Sequence, residues 1–393
     1  MKQAKPEAAT KRDTWLVMGM GSMAFGKERR AATAFRHMTR IRPHFLTSRW
    51  ENGNVDELLR ENGFEYTRTY FGYLGRQHLS WTLINFSRMP VLFWTVLRKY
   101  RELRCRGILV LVLGSFLNAL PPVVLLRLFS RARIVFYLGD IPANTWPNRL
   151  VCRVANSLAD AFVANSQAVR RGLERLGMPE NRVNVVYNGK ELERFQQAVP
   201  LPFREQFGWN HDALLIGYIG QFAINKGIWD FIHAAERVLT MNDECRFVLI
   251  GQADETNVFY RELVTYLRVK NLADRIVFVG WVQRIEQAYA ALNVVVVPSR
   301  IEDAAPNVIL EAAASGVPAI ATPVGGSPEL VAENETGFLV GVQQPEEIAQ
   351  RIIQLAGDPD LRRLMGQAGR ARAARLFDCT KNSGKVEKFL IHD

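Results

Sequence analysis

The stretch 302-EDAAPNVILEAAASGVPAIATPVGGSPEL-330 carries the pattern that decides the fold. Asp303 and Glu311 stand on either side of an apolar run, and a Gly-Val-Pro turn, a short apolar segment and the pair Gly325–Gly326 follow. Loop, helix, turn and buried strand in this order are typical of a parallel sheet covered by helices. The first N–H groups of a helix have no partner within it, so acids and glycines around such a start indicate either ordinary packing or a bound polar ligand.

Short apolar strands alternate with helical segments along the rest of the chain. The alternation breaks at residues 200–212, where we place a domain boundary. Each half has enough strands for a doubly wound sheet. We therefore predict an α/β protein with two Rossmann-like domains, residues 1–200 and 201–374, facing a central cleft. The predicted strands are 15–19, 44–48, 108–113, 133–138, 161–165, 183–187, 214–220, 246–251, 275–280, 293–299, 319–322 and 337–340.

Composition is that of an ordinary globular protein. The chain has 393 residues, of which 48% are hydrophobic and 23% charged, which is enough for two buried cores. Its four cysteines show neither metal-ligand nor disulfide spacing, which favours a reducing compartment. The first residues, MKQAKPEAATKRD, lack the apolar core of a secretory signal. We expect a cytoplasmic protein.

Positive charge is concentrated in the front half of the chain. Residues 1–200 hold 31 lysines and arginines against 15 acidic residues, whereas the remainder holds 19 against 24. A basic half suits an anionic lipid, a nucleic acid or an acidic small molecule. No nucleic-acid-binding module is recognisable, so we expect no nucleic-acid partner. Residues 79–97, with aromatic side chains beside arginines, form either a core-facing helix or one that lies on an anionic membrane surface.

Two further loops follow predicted strands and precede helices, which is where parallel sheets bind ligands. The first, 19-GMGSMAFGKE-28, allows close backbone approach at Gly21 and places Lys27 at a helix start, with a mere tight turn as the alternative. The second, 220-GQFAINKG-227, places Lys226 where it can neutralise a phosphate, with a solvated surface lysine as the alternative. The first loop has neither dinucleotide nor Walker spacing.

The opening stretch resembles the donor-site signature of retaining glycosyltransferases with the GT-B fold, in particular glycosyltransferase family 4. The family pattern is an acid, seven residues, a glutamate, Ala-x-Ala-x-Gly-x-Pro, a strand and Gly-Gly-x-x-Glu. The resemblance runs from about residue 160 to the C-terminus and includes 187-YNGKELERF-195, 217-GYIGQFAINKG-227 and 278-FVGWV-282. The residues that fill the signature are Asp303, Glu311, Ala312, Ala314, Gly316, Pro318, Gly325, Gly326 and Glu329.

The resemblance implies a site for a nucleoside diphosphate sugar in the second domain. By its pattern Glu311 accepts hydrogen bonds from the ribose, Asp303 holds the transferred sugar and Lys226 neutralises the leaving diphosphate, so we expect these three to be the catalytic residues. Catalysis in this family needs no metal, and no cofactor is expected besides the nucleotide sugar as co-substrate. The C-terminal helix, about residues 375–393, is expected to pack back on the first domain. The other residues expected at the site are Gly21, Gln221, Val282, Pro306, Asn307 and Val308 for the donor, and Asp140 and Lys27 on the acceptor side.

One departure from the family pattern concerns the charge at the diphosphate. Gln221 stands where the family usually has arginine or lysine, so one of two phosphate cations is missing. A glutamine can donate a hydrogen bond but carries no charge. We expect Lys27, Arg29 or Arg300 to take the place of the missing cation.

Two other departures concern the acids and a histidine. Asp303 is one methylene shorter than the usual glutamate, and Glu302 beside it offers an alternative register. The histidine that the family commonly has after the strand equivalent to 133–138 is absent. Asp140 either takes a polar role at the acceptor or caps the turn before Pro142.

The resemblance implies a retaining, metal-independent hexosyltransferase. It would move a sugar to a glycan or lipid-linked acceptor, as in cell-surface polysaccharide or glycolipid synthesis, with peripheral contact to the inner face of an anionic membrane. The departures keep open a non-catalytic GT-B homologue that binds a nucleotide sugar or serves as an assembly subunit. A nucleotide-sugar epimerase is disfavoured because the transferase signature is so complete.

Overall fold

The chain forms two compact units. The computed structural model describes residues 12–20, 26–49, 53–70, 79–112, 120–252, 254 and 256–391, and the side chains of all of these except residues 20, 26, 27, 79–86 and 112. We call Met1–Gly189 with Cys379–Asp393 the front unit and Lys190–Asp378 the back unit. The chain thus passes from one unit to the other twice.

The first crossing lies before the boundary that the sequence analysis placed at residue 200. The expected linker, residues 200–212, is packed into the back unit: the Leu201 N–H donates to the Gln287 carbonyl at 3.0 Å, and Phe203 is 1% exposed. Burial of Phe203 draws this segment into the core, which a pattern of prolines and polar residues does not reveal.

Each unit is built on a parallel sheet. The seven-stranded front sheet has the order β3-β2-β1-β4-β5-β6-β7, and the six-stranded back sheet has the order β10-β9-β8-β11-β12-β13. Both follow the 3-2-1-4-5-6 order of doubly wound folds, so the fold class that we predicted is confirmed. The strands are β1 Asp13–Met20, β2 Ile41–Ser48, β3 Glu65–Thr69, β4 Gly107–Val112, β5 Arg133–Leu138, β6 Ala161–Ala164, β7 Val183–Val185, β8 Leu214–Ile219, β9 Cys245–Ile250, β10 Ile276–Gly280, β11 Val294–Val297, β12 Ala319–Ala321 and β13 Gly337–Leu339.

Helices connect the strands. A single helix, α16, follows the second crossing and returns the chain to the front unit. The helices are α1 Gly26–Arg36, α2 Val55–Glu61, α3 Leu79–Glu102, α4 Leu120–Phe129, α5 Trp146–Leu158, α6 Gln167–Arg175, α7 Leu192–Gln196, α8 Phe203–Gln206, α9 Ile228–Met241, α10 Val258–Val269, α11 Ile285–Ala291, α12 Asn307–Ser315, α13 Ser327–Leu330, α14 Pro345–Gly357, α15 Pro359–Leu376 and α16 Cys379–Ile391.

Strand β3 was absent from our prediction. Its sequence, EYTRT, is polar, and only Thr69 is fully buried because the strand lies at the edge of the sheet. The central strands are easier to recognise: in β4 both Ile108 and Leu109 are almost completely buried, since neighbouring side chains point to opposite, covered faces.

The C-terminal helix completes the front core. Val386 and Leu390 of α16 belong to the same apolar cluster as Phe35 of α1. The Arg40 N–H donates to the Glu387 carboxylate at 2.6 Å and fixes the helix at the sheet end. A segment remote in sequence therefore supplies one face of the front core.

Two stretches of the front unit are rich in apolar residues, 79–97 and 107–126. Residues 107–126 contain β4 and the start of α4, and residues 113–119 between them lie outside the described residues. Residues 79–97 fall within α3, which contains Pro90. None of the described helices combines the length and the apolar character that crossing a membrane requires.

Candidate active site

The loops after β8 and β11 meet in the middle of the back sheet. The two strands are neighbours, and the strand order of the sheet reverses between them. Doubly wound sheets bind their ligands at such a reversal. Gly227, with a φ of 72°, lies so close to Pro298 that a Cβ would stand 1.8 Å from its carbonyl oxygen. The Arg300 N–H donates to the Asn225 carbonyl at 2.9 Å. The two loops are thus joined along their backbones.

This junction brings together Lys226 and Asp303, two of the three residues expected to be catalytic. The Lys226 ammonium donates to the Asp303 carboxylate at 3.0 Å, and the side chains are 29% and 35% exposed. A pair this accessible is held weakly and can exchange for a ligand at little cost.

Helix α12 begins directly after the Asp303 loop. Pro306 precedes it in an extended conformation and supplies no side-chain cap. The N–H groups of Asn307 and Val308 donate to no described residue, and the buried Oδ1 of Asn307 has no partner there either. Unpartnered N–H groups at a helix start, together with the helix dipole, make a site for an anion.

Glu311 lies one turn inside α12, and both of its carboxylate oxygens are engaged. Lys190 donates to Oε1, and the hydroxyl of Tyr289 donates to Oε2 at 3.0 Å. The Lys190 and Glu311 side chains are 12% and 14% exposed, so this pair is more enclosed than that of Lys226. Burial and the adjacent carboxylate raise the pKa of Tyr289 well above its usual value of 10, which keeps its hydroxyl a neutral donor.

Lys190 and Tyr289 were missed by the sequence analysis. Lys190 lies in 187-YNGKELERF-195, which the resemblance included without a role for the lysine, and it is 121 positions from Glu311. No local pattern distinguishes Tyr289 from any other buried tyrosine. Only tertiary folding shows that both hold the same carboxylate.

Helix α7 begins two residues after Lys190 and anchors this segment to α11. Arg194 donates to the Glu286 carboxylate of α11 at 2.8 Å, and the ring of Phe195 packs on Tyr289 with centroids 6.1 Å apart. Glu286 is 1% exposed. Burial opposes its ionisation, but hydrogen bonds from Arg194 and Arg284 outweigh burial and lower its pKa.

Arg300 pairs with a buried carboxylate of the back unit, whereas we expected it at the diphosphate. Its guanidinium donates to both oxygens of Asp230 in α9, at 2.8 and 2.7 Å, and Asp230 is 4% exposed. This hydrogen bonding raises the pKa of Arg300 further, against the opposing effect of burial. A buried carboxylate requires a bound cation, so our hypothesis that Arg300 replaces the missing phosphate cation conflicts with this geometry.

The glycine pair of the signature packs against the Asp303 loop. The Gly326 N–H donates to the Asp303 carbonyl at 2.8 Å. A Cβ on Gly325, whose φ is 58°, would lie 2.2 Å from the same oxygen, and one on Gly326 would lie 2.1 Å from the Ala304 carbonyl. The glycines thus hold the carboxylate-bearing loop in place.

The remaining donor-site residues are placed but have no ligand contact that tests their roles. Gln221 is exposed, and its carbonyl accepts a hydrogen bond from the Tyr218 hydroxyl at 2.6 Å. Val282 is half-buried and follows Trp281, which is 79% exposed just past the end of β10. Their expected contacts with the phosphates and the base stay predictions.

The expected front-unit residues are only partly described. Gly21 lies outside the described residues, and Lys27 is the second residue of α1 with its side chain outside them. Asp140 is half-buried and follows β5. Among the residues that the structure describes, no group of three or more His, Cys, Asp or Glu side chains could hold a metal ion.

Family models match both halves of the chain: "Glycosyltransferase Family 4" at residues 32–194 and "Glycosyl transferases group 1" at residues 213–358. The N-acetyl-alpha-D-glucosaminyl L-malate synthase of Bacillus anthracis is 26% identical over 250 residues, 64% of this chain and 63% of that protein. The capsular polysaccharide biosynthesis glycosyltransferase CapM of Staphylococcus aureus is 27% identical over 240 residues, 58% and 60% of the two chains. The chain spans less than two thirds of the length of these relatives.

Solved structures share the whole fold. Anabaena HepE in complex with UDP matches with a TM-score of 0.78 and 21% identity, covering 96% of this chain and 99% of that one. Its complex with UDP-glucose gives a TM-score of 0.74 at the same identity and coverage. Taken with the two family models and the signature around Glu311, this fold assigns the chain to the group 1 glycosyltransferases, glycosyltransferase family 4, with the GT-B fold.

Proposed function

We propose that the chain is a retaining glycosyltransferase that moves a hexose from a nucleoside diphosphate sugar to a glycan or lipid-linked acceptor. The observation that carries the proposal is the cluster in the back unit: a lysine, an unpartnered helix start and an enclosed carboxylate around one loop junction. HepE, which shares the fold, has been solved with UDP and with UDP-glucose, and UDP is therefore the first nucleotide to try.

Transfer of a sugar from a nucleoside diphosphate sugar requires stabilisation of the leaving diphosphate. As the bond between the anomeric carbon and the phosphate oxygen breaks, negative charge grows on the diphosphate and positive charge on the sugar. In the proposed mechanism Lys226 leaves Asp303 for the diphosphate, and Asp303 then faces the sugar. One charge at ~4 Å and an effective dielectric near ~20 is worth roughly 4 kcal/mol, or about three decades of rate.

Retention follows if the acceptor enters on the face that the diphosphate leaves. The acceptor oxygen then bonds to the anomeric carbon, the glycosyl–phosphate bond breaks, and the acceptor's proton passes to the departing phosphate oxygen. The helix start and Lys226 stabilise that oxygen without a metal ion.

We further propose that the acceptor lies close to a membrane and that the protein acts at the cytoplasmic face of an anionic bilayer. On helix α3, Trp94 is 64% exposed and Val91 is 42% exposed. Arg98 lies one turn further along the helix from Trp94, and its side chain is 67% exposed. An indole and a guanidinium on one exposed surface suit the boundary between headgroups and acyl chains. Sedimentation with anionic vesicles should be salt-sensitive and weaker for Trp94→Ala; equal binding by neutral vesicles would contradict this part of the proposal.

The function is tested by thermal unfolding with UDP, GDP, ADP and their glucose conjugates. A ligand at about 100 times its Kd stabilises the folded state by ~2.7 kcal/mol, a shift of several degrees for a unit of this size. We expect one base to shift Tm, and Glu311→Gln to lose the shift. A nuclear magnetic resonance spectrum of the product from a matching acceptor then shows whether the anomeric configuration is kept.

A second function has one observation in its favour. Gln221 is uncharged and Arg300 is held by Asp230, so the described back unit offers the diphosphate one lysine, Lys226, at the loop junction. A Tm shift without turnover on a broad panel of acceptors would favour a non-catalytic subunit that binds the nucleotide sugar.

A further inference from the structure

A groove of about 240 Å³ lies at the open edge of the front sheet. Its walls are the ends of β2 and β3, with Arg49 and Tyr70 directly after them, and one face of α3. β3 is the outermost strand, so the groove is separate from the central strands, where doubly wound sheets bind their ligands. The lining residues of α3 recur at helical spacing and share one side of the helix: Val91, Trp94, Thr95, Arg98 and Lys99.

Positive charge dominates this groove. Four lining side chains are cationic, and none of the described lining residues is acidic; the cations are Arg49, Arg68, Arg98 and Lys99. Asp56, outside the lining, contacts Arg68 at 2.8 Å. Glu102, also outside it, contacts Lys99 at 3.0 Å and Arg98 at 3.6 Å. Arg49 forms no ion pair with an acidic residue in the part of the chain that the structure describes. Four cations against two carboxylates leave a surplus of two positive charges.

The ring of Tyr70 brings a further cation to the groove. The guanidinium carbons of Arg49 and Arg88 lie 5.8 and 5.1 Å from the centroid of this ring. The backbone N–H of Arg49 also donates to the Thr69 carbonyl at 2.9 Å, which fixes the point from which its side chain extends. A ring face attracts a guanidinium without neutralising it. The two arginines are therefore held beside the groove with their charges intact.

The surplus charge defines the chemistry of the ligand. Like charges gathered at one place repel one another, and a bound anion removes that repulsion. A guanidinium donates two parallel N–H bonds to neighbouring oxygens of a phosphate, and a lysine adds a point charge. The cations come from the β2 end, from β3 and from α3, and so stand on more than one side of the groove. This arrangement suits the terminal oxygens of a phosphate better than the two coplanar oxygens of a carboxylate.

The groove also has space and apolar surface for the group that carries the phosphate. At ~10–15 Å³ for each water centre it holds about twenty water molecules, which is more than a phosphate alone fills. Trp94 and Val91 supply exposed apolar surface at its α3 wall. An indole beside a polar site suits the C–H groups next to a phosphate.

We propose that this groove binds a phosphate ester, carried either by an anionic lipid or by a small soluble molecule. The lipid source deepens the proposed membrane contact and rests on the proposed function, whereas binding of a soluble ester does not. Either way the phosphate is held at one defined place, beyond the diffuse attraction of a basic surface. Its ligands are Arg49, Arg68, Arg98 and Lys99, and Trp94 packs on the group that carries it.

The first test titrates the full chain with sn-glycerol 3-phosphate in a calorimeter, with acetate as the anion for comparison. We expect saturable binding of the ester and roughly tenfold weaker binding of acetate. Arg49→Gln should weaken binding of the ester about tenfold, as for loss of a hydrogen bond to a charged group, and Arg49→Lys should retain part of the affinity. Arg153→Gln, at an exposed arginine of α5, removes the same charge elsewhere and should leave the affinity unchanged.

Two further variants separate the groove from folding and from the back unit. Thr95 is half-buried on the groove face of α3, so Thr95→Phe should fill the groove and abolish binding with little change in Tm. Lys226→Met removes the lysine of the loop junction in the back unit. It should leave binding of sn-glycerol 3-phosphate unchanged, because the ester is held in the front unit.

Vesicle sedimentation distinguishes the two sources of the phosphate. The probes are phosphatidylcholine vesicles with and without phosphatidic acid, whose headgroup is a phosphate monoester. If the source is a lipid, the wild type sediments with the phosphatidic acid vesicles and sn-glycerol 3-phosphate releases it. Arg49→Gln should then sediment less than Arg153→Gln. If the source is soluble, the ester binds in the calorimeter while the vesicles bind neither variant differently from the wild type.

The proposal is overturned if the wild type binds neither sn-glycerol 3-phosphate nor the phosphatidic acid vesicles. It is also overturned if acetate binds as tightly as the ester, or if Arg49→Gln and Arg153→Gln weaken binding of the ester equally, since diffuse positive charge then accounts for the attraction. Failure of the proposed function alone looks different: nucleotides then give no Tm shift and no sugar is transferred, while binding of the ester still depends on Arg49.

Discussion

At the residue scale, the back unit pairs each of its two site carboxylates with a lysine. The pair of Lys226 and Asp303 is accessible, whereas that of Lys190 and Glu311 is enclosed and shared with Tyr289. An enclosed pair with an additional hydrogen bond holds its carboxylate in one orientation, and an exposed pair exchanges readily. Lys190 therefore fixes the orientation of the Glu311 carboxylate, and under the proposed function Lys226 exchanges Asp303 for the diphosphate.

Lys190→Met should weaken nucleotide binding by about tenfold. The substitution leaves the enclosed Glu311 carboxylate without its cation and frees its orientation. Titration calorimetry with the nucleotide that shifts Tm measures the effect, and Lys190→Arg is the matched control that restores the charge. Unchanged affinity in Lys190→Met would show that Tyr289 alone is enough to hold Glu311.

Arg300→Met should destabilise the back unit by roughly 3–5 kcal/mol, because it leaves the Asp230 carboxylate buried without a cation. Urea unfolding measures the loss. In the double variant Asp230→Leu with Arg300→Met, most of the stability should return, since no unpaired charge remains. A variant as stable as the wild type but impaired in turnover would instead support our hypothesis that Arg300 replaces the missing cation at the diphosphate.

The Glu286 carboxylate gives the back unit a pH dependence whose sign follows from its lowered pKa. Its pKa is lowered from the ordinary 4.5 in the folded state, so its contribution is present above pH 4.5 and is lost as the pH falls through the folded pKa. Glu286→Gln should therefore reduce stability at neutral pH, with the difference from wild type shrinking below pH 4.5. Urea unfolding at a series of pH values tests this. A difference that grows on acidification would mean that the folded pKa is raised.

At the element scale, the site depends on how closely three loops approach. The loops after β8 and β11 are joined through Gly227, and the loop after β12 contacts the Asp303 segment through Gly325 and Gly326. Parallel strands end at the same edge, so loops far apart in sequence meet there, and small residues let them meet backbone to backbone.

Gly325→Ala should cost more than 1 kcal/mol of stability and weaken nucleotide binding. Its φ of 58° strains any L side chain, and the new Cβ would press on the Asp303 backbone. Gly357→Ala is the matched control, because nothing lies within 4 Å of that position and the residue ends α14. We expect the control to be neutral or stabilising by a few tenths to ~1 kcal/mol. Equal stability of the two variants would show that the Asp303 loop moves away from the new Cβ with no loss in the free energy of unfolding.

At the scale of the whole molecule, the two units differ in how their chain segments are arranged. The back unit is one continuous segment with its own apolar cluster around Phe231 and Phe247. The front unit draws on two segments, and its core includes Val386 and Leu390 from the second. The back unit therefore needs no other part of the chain to form its core, whereas the front unit needs the segment that contains α16.

A fragment of residues 190–378 should fold alone and bind the nucleotide, whereas a fragment of residues 1–189 should not fold stably. Removing one buried leucine side chain costs about 2–5 kcal/mol, and the second fragment loses all of α16 from a domain whose total stability is of order 5–15 kcal/mol. Circular dichroism and amide hydrogen exchange report folding of each fragment. Cooperative unfolding of residues 1–189 would show that α16 is dispensable.

Much of the architecture could be predicted from local pattern. Buried central strands such as β5, RIVFYL, are short apolar runs, and their pattern is visible because both faces are covered. The edge strand β3 and the packed segment around Phe203 escaped prediction because their sequences are polar and their burial depends on neighbours.

The sequence by itself determined the two parallel sheets, the family signature and the neighbourhood of Lys226, Asp303 and the α12 start, since periodicity locates the strands and the loops that follow parallel strands lie at one edge. Only the tertiary structure decided which charges pair. Lys190 reaches Glu311 from 121 positions away, and Arg300 turns to Asp230. The strength of an ion pair depends on the distance between its charges in space and on their burial, and neither can be predicted from the residues that are adjacent in sequence.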